Sequence, residues 1–321
     1  MRGSVLACLA CLAVAGLAAC QGREPVAPTA ALEWTRVPAV TTTRLTDVWG
    51  ASAADVWIVG DDGTILHYDG RAWTRALEGV TAKFTGVWGS GPSDVWAVGY
   101  RSFTDATCIV YRYDGRAWSA VALPVGIRAL PLTDIWGSSA SNVWAVGLAG
   151  QMLHYDGVRW RDASVDPWLT FERIWGTSPS DAWIVGPGTV VRGDATGWRA
   201  YPLPVSTIGQ LSAGWGASPI DHWAAGHGLA HFDGTAWTRV TPDDTATGWF
   251  RAMAGVARSR VWAVMSSGSS GTGTGAVWQY DGVRWTVAAR TTDNLFGVWA
   301  ASATDVWAVG DRGLVLHGVA R

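Results

Sequence analysis

The sequence predicts an all-β fold, a seven-bladed β-propeller, and three observations carry that prediction. A Trp-led unit recurs seven times, and Trp49 to Trp299 spans 250 residues in six steps, about 42 per unit. One segment of each unit is almost continuously apolar, as in Val56-Trp57-Ile58-Val59, which suits a strand covered on both faces. The two ends of the chain carry complementary fragments of one unit. A four-stranded unit packed on both faces by copies of itself is a propeller blade.

The elements follow in chain order. Residues 1–19 read as an export signal: Arg2 is its positive start, and the apolar run Val5 to Leu17 is shorter than the roughly 20 residues of a membrane-spanning helix. Leu17-Ala18-Ala19-Cys20 resembles the bacterial lipobox, which implies cleavage before Cys20 and acylation of its thiol. Two or three acyl chains give stable anchoring. Gln21 stands where Asp marks inner-membrane retention in many Gram-negative bacteria, so the outer membrane is favoured. Residues 20–31 form a polar, Pro-containing tether, and residues 32–321 form the propeller. The mature chain keeps Cys20 and Cys108 alone of four cysteines, so stability is expected from packing and not from a disulfide.

Within each unit, three Trp slots recur. The first holds Trp49, Trp88, Trp136, Trp175, Trp215 and Trp299, with Ala254 in the sixth unit. The second follows eight residues later, at Trp57, Trp96, Trp144, Trp183, Trp223, Trp262 and Trp307. The third holds Trp73, Trp118, Trp160, Trp198, Trp237 and Trp285. Four residues before each first slot stands Leu or Phe, from Leu45 to Leu295. LTDVWG is the first strand, DVWIVG the second, ILHYDG the third and RAWTR the fourth. Asp69-Gly70 is expected to form a two-residue type I′ turn, since both central residues of that turn need positive φ. The seventh unit lacks its third Trp, while Trp34-Thr35-Arg36 near the start matches Trp73-Thr74-Arg75. The N-terminal strand is therefore expected to complete the last blade and close the ring. With Trp34, the three slots hold six, seven and seven of the 23 Trp, all read as core; Trp278 reads as strand core as well.

The Tyr-Asp-Gly-x-x-Trp hairpin is similar to the end of a kelch blade, and the whole unit resembles the sialidase-type BNR propellers of bacterial lipoproteins. The resemblance covers residues 32–321. It lacks the Gly-Gly pair of kelch and the Ser-x-Asp-x-Gly-x-x-Trp of the Asp-box.

Composition and motifs narrow the function. A net charge of −2 offers no basic face for nucleic acid. No GxSxG, HExxH or P-loop is present, and no cofactor or metal is expected. Asp55, Asp94, Asp181, Asp221 and Asp305, with Asn142, share one slot and read as turn residues bonding their own backbone; Asp69, Asp114, Asp156, Asp194, Asp233 and Asp281 read likewise. His67, His154, His231 and His317 share a strand slot in different blades, too far apart for a shared metal. Phe171-Glu172-Arg173-Ile174 resembles the start of a sialidase motif only superficially and occupies an ordinary first-strand position. Cys108 reads as an inert thiol.

The units differ at the second-to-third-strand turns and the blade-to-blade links, which share one face. Function gathers on such loops. Lys83, Arg128, Trp168, Trp249 and Asp293 are the candidate ligand-binding residues there, with the two Trp able to stack on a sugar or anchor a peptide. The expected function is that of a non-catalytic binding or assembly scaffold for protein or glycan, held to the membrane by its lipid. The alternative is a glycan-processing enzyme using carboxylates at the channel mouth. Mass spectrometry tests the anchor: Cys20→Ser should leave a chain with no acyl mass, and a lipid-bearing variant would refute it.

Overall fold

The computed structural model describes residues 31–320, except 103, 202–208, 245, 246, 270 and 271; the signal, Cys20 and most of the tether (residues 1–30) lie outside the described residues. Seven four-stranded antiparallel sheets make the seven blades of a ring. In blade 1 the strands are Leu45–Ser52 at the channel, then Asp55–Gly60, Ile65–Tyr68 and Trp73–Arg75 outermost. Blades 2 to 7 begin at Lys83, Leu132, Arg173, Leu211, Trp249 and Leu295. The N-terminal strand Leu32–Arg36 pairs with Val315–Ala320 and is the outermost strand of blade 7, closing the ring as the sequence predicts.

The three Trp slots do different things. Six of the second-slot Trp meet the third-slot Trp of the next blade edge to face. Trp57–Trp118, Trp96–Trp160, Trp144–Trp198, Trp183–Trp237, Trp223–Trp285 and Trp307–Trp73 have centroids 5.1–5.4 Å apart and interplanar angles of 75–89°. At the seventh junction Trp262 and Trp34 share one core cluster. These edge-to-face contacts add about 0.5–1.5 kcal/mol each beyond burial.

The first-slot Trp are not core in the same sense. Apart from the buried Trp175, they are half-buried, and Trp49, Trp136, Trp175, Trp215 and Trp299 line the central channel. Each lies against a backbone site of the next blade that only Gly leaves open. A β-carbon at Gly89 would stand 2.5 Å from Trp49, and one at Gly137 would stand 2.6 Å from Trp88. Gly50, Gly176 and Gly255 accept Trp299, Trp136 and Trp215 in the same way. Blade 6 has Ala254 in place of the indole, and blade 7 has Ala300 in place of the glycine.

The slot Asp residues are more than turn formers. Asp55, Asp221 and Asp305 meet His67, His231 and His317 at 2.8–3.0 Å, and Asn142 meets His154 at 2.7 Å. Each imidazole lies on the second-slot Trp of its own blade, at 3.7 Å and 12° for His317 on Trp307. In blades 2 and 4, Arg112 and Arg192 replace the His, pair with Asp94 and Asp181, and lie over Trp96 and Trp183. In these six blades the second-slot indole is thus clamped between a fixed polar plane and the next blade.

The Asp-Gly hairpin also departs from expectation. Gly70 has φ +88°, but Asp69 is not left-handed; its carboxylate accepts the N–H groups of Arg71 and Ala72, both at 2.9 Å. Side-chain capping replaces the type I′ geometry. Paired positive φ occurs instead at the opposite face, at Asp62-Gly63, Ala149-Gly150 and Arg312-Gly313. There Gly63 N–H donates to Ala82 of the next link.

Two substitutions test these contacts by chemical denaturation. Trp57→Ala should cost about 3–5 kcal/mol. Gly89→Ala should cost about 1–3 kcal/mol by overpacking against Trp49, whereas Ala300→Gly, facing no indole, should cost about 1 kcal/mol or less.

Candidate functional site

The first strand of each blade enters the channel from the variable face. The residue after the Leu or Phe of each unit sets what lines the mouth. In four blades that residue is a hydroxyl that clips the ring together: Thr46, Thr85, Thr133 and Ser212 donate to Phe84, Leu132, Phe171 and Phe250 carbonyls of the following blade at 2.7–2.9 Å. In blades 4, 6 and 7 the slot holds Glu172, Arg251 and Phe296 instead. All seven side chains, with Arg44 and Arg173, surround one cavity of about 180 Å³.

The charges of this mouth are unevenly matched. Arg44 pairs with the buried Asp311 at 3.2 Å. Arg173 lies 3.2 Å from Asp134 and 3.7 Å from Asp47, binding blades 4, 3 and 1 across the channel. Asp47 and Asp134 also accept the backbone N–H of Val87 and Ile174 in the next blades. Burial pushes Asp47 up to about 6 against the pull of Arg173, and burial raises Asp134 too. Burial works against the Arg173 cation, but the two carboxylates outweigh it and raise it.

Glu172 and Arg251 are the groups left over. Burial raises the Glu172 carboxyl, opposed by Arg173 and Arg251. Burial lowers the Arg251 guanidinium, with Glu172 acting against that and Arg44 with it. Arg251 gives its Nε–H to Ser266 Oγ at 2.6 Å, but no carboxylate among the described residues comes within the 4.0 Å of an ion pair. Its guanidinium carbon lies 5.2 Å from the Trp249 ring and 6.0 Å from Phe296, which Arg44 approaches at 5.1 Å from its own side. Trp249 rests on His227 at 4.1 Å, with its indole N–H on Ser212 Oγ. Trp249, His227, Arg251 and Ser266, with Gly248 and Ser267, line a second cleft of about 450 Å³ that meets the mouth at Arg251.

The five candidates named from the sequence do not converge. Trp168 is 91% exposed in the link between blades 3 and 4 and lines none of the described cavities. Lys83 is tied to Asp61 at 3.6 Å and leans toward the Tyr100 ring. Arg128 is exposed, and its carbonyl accepts from Gln151. Asp293 is 2% exposed and pairs with Arg36 and Arg312, joining the closing strand to blade 7. Trp249 alone borders the mouth. Glu172 and Arg173, read from the sequence as ordinary strand residues, stand at its centre. The signal was present: the slot after the Leu or Phe reads Thr, Thr, Thr, Glu, Ser, Arg, Phe around the ring.

Deeper in the channel, a cavity of about 310 Å³ is walled by Trp49, Trp136, Trp175, Trp215 and Trp299. Trp175 donates its indole N–H to Nδ1 of the buried His222, whose Nε2 meets Asp181 at 3.0 Å. Cys108 is buried, and burial raises its thiol. Among the described residues no group of three or more His, Cys, Asp or Glu is placed to hold a metal ion, and no helix is long and apolar enough to cross a membrane.

The chain is a seven-bladed β-propeller with a charged and aromatic channel mouth on its variable face. No family model and no curated protein matches it. Solved propellers are similar to it over nearly their whole length. YCF48 bound to D1 peptide superposes with a TM-score of 0.71 at 16% identity, covering 90% of this chain and 97% of that one. The WD40 propeller domain of Doa1 gives 0.70 at 9% identity, covering 91% and 98%. Streptogramin B lyase gives 0.66 at 12% identity, covering 90% and 97%. At these identities the likeness is one of fold.

The raised Asp47 makes a pH prediction. Between its ordinary 3.8 and about 6, the folded chain keeps a proton there that the unfolded chain has lost, so this group's contribution to stability falls as pH rises through that window. Urea midpoints of the parent protein and Asp47→Asn, measured from pH 4 to 7, should therefore drift in the variant's favour as pH rises. Parallel curves would place the proton elsewhere.

Proposed function

We propose that this protein is an exported, membrane-anchored lipoprotein whose propeller binds a protein partner, without catalysis, at the channel mouth of its variable face. One observation carries the reading. The slot that clips adjacent blades together in four places is given up in three others to Glu172, Arg251 and Phe296, all at one cavity. A repeat protein that departs from its own structural rule at one spot is marking a site. Each lost clip forgoes about 0.5–1.5 kcal/mol, which a functional gain would offset.

A protein partner is preferred to a glycan on two grounds. The mouth combines guanidinium groups with aromatic rings, residue types enriched in protein-binding hot spots. A propeller of the same fold, YCF48, has been seen bound to a peptide. The channel carboxylates Asp47 and Asp134 are engaged by Arg173 and backbone N–H groups, which suits a structural role better than acid–base chemistry. Outer-membrane placement rests on Cys20 and Gln21, and the kelch-like or BNR repeat type rests on the Tyr-Asp-Gly-x-x-Trp hairpin.

Site-specific photo-crosslinking in cells tests the face and the partner class. A benzophenone amino acid at Phe296 should yield one or a few discrete polypeptide adducts. The same group at Val158, exposed on the opposite face, should yield none of them. Equal adducts from both positions, or none from Phe296, would overturn the reading.

A further inference from the structure

We infer that the mouth recognises a carboxylate of its peptide partner, gripped by Arg251, with an apolar side chain of the same peptide entering the Trp249–His227 cleft. The inference rests on the protein-binding reading above and names its chemistry.

Among the described residues, Arg251 is the half-buried arginine with no carboxylate in ion-pair contact. Arg44, Arg112, Arg173 and Arg192 each have a carboxylate at 2.7–3.2 Å. The buried Arg260 is met by the carbonyls of Ser259 and Asp281. Arg251 has Ser266 Oγ on its Nε and the face of Trp249 beside it. The Nε contact fixes the plane of the guanidinium and leaves the Nη1–Nη2 edge for a guest. That edge presents two parallel N–H donors, the geometry that a carboxylate accepts bidentately. Partial burial strengthens such a pair relative to one in open water.

The neighbours define the rest of the guest. Trp249 is held by Ser212 Oγ and backed by His227, so its ring is fixed before anything binds, and little ordering entropy is lost on binding. The cleft it borders opens at Arg251 itself. A carboxylate on Arg251 therefore places the next few atoms of a ligand over the indole. Glu172 lies across the cavity of about 180 Å³, within electrostatic range of Arg251 but not paired with it, and accepts no hydrogen bond from any described residue. It is set to receive the N–H of the guest's own backbone. A carboxylate, an apolar side chain and an amide N–H within a few bonds of one another describe the end of a peptide chain.

The probe is N-acetyl-phenylalanine, compared with N-acetyl-phenylalaninamide and N-acetylneuraminic acid. The readout is the indole N–H resonance of Trp249 in the folded, 15N-labelled propeller, assigned by its loss in Trp249→Phe. The free acid should shift that resonance saturably, and the amide should bind at least about tenfold more weakly, the loss of one charge-assisted pair. Arg251→Gln should remove the preference for acid over amide while leaving the other indole resonances in place. Arg251→Lys should restore it only in part. Equal binding of acid and amide, or an unchanged preference in Arg251→Gln, would overturn the inference. Tighter binding of the sugar acid than of the acylated amino acid would overturn the peptide assignment. Phe296 adducts that persist when acid and amide bind alike would leave the protein-binding reading standing while this one fails; loss of both would remove the site.

Discussion

The fold depends on one repeated contact, an indole of one blade against the next blade. It occurs in two layers. At the channel, the first-slot Trp lies on a glycine of the following blade, where a β-carbon would collide with it. Farther out, the second-slot Trp meets the third-slot Trp of the following blade at nearly a right angle. Both contacts run in the same direction around the ring, so each blade is incomplete without its successor, and the last is incomplete without the first. This explains the closure by Leu32–Arg36: its Trp34 packs against the core cluster that holds Trp262 of blade 6. It also explains how a chain whose one described cysteine, Cys108, is unpaired can hold a closed ring. The cost is polar. The indole N–H groups of Trp57, Trp96, Trp262 and Trp307 are buried without an acceptor, a penalty of about 1–3 kcal/mol each that packing must offset.

Much of this was legible in the sequence because the unit repeats. Spacing alone fixed the blade count, the strand order within a blade and the split blade at the ends. Even the channel contact is written in the chain as Trp-Gly, at 49–50, 88–89 and 136–137, and blade 6 keeps the rule by breaking it on both sides at once, with Ala254 facing Ala300. What spacing could not give was direction. Whether a Trp slot points into a sheet interface or into the channel depends on the twist of the ring, and so the half-buried first slot was indistinguishable from the buried second. The same limit applies to Asp55 and its equivalents: a turn position and a cross-strand partner for His67 look alike until the register places Trp57 opposite His67.

The site was less legible for a related reason. Loop variability drew attention to Trp168, Arg128 and Asp293, yet length and composition of a loop do not say what it faces. Asp293 sits in a variable link and is nevertheless the buried ion partner of Arg36 and Arg312. The residues that converge lie on or directly beside the innermost strands, whose positions the ring fixes, and they differ from their equivalents by side chain alone. Glu172 and Arg251 were visible as exceptions in a column of hydroxyls, but the column's role as an inter-blade clip could be known only from the hydrogen bonds that Thr46, Thr85 and Thr133 make.

A ring of near-identical blades presents near-identical surfaces, and such a surface has no way to choose a ligand or an orientation. Specificity must come from breaking the repeat. The break is cheapest where the repeated residue contributes least. Replacing an indole would cost several kcal/mol and open an interface, whereas replacing a clip hydroxyl forgoes one hydrogen bond of about 1 kcal/mol. The clip slot also faces the channel mouth in every blade, so side chains placed there meet at one cavity without any loop having to bend. Blades 4, 6 and 7 use that freedom, and blades 1, 2, 3 and 5 keep the clip. The three exceptions fall on one side of the ring, where the preformed Trp249–His227 cleft already opens. The asymmetry a binding site needs is therefore bought at the positions where the propeller can lose it with the least strain.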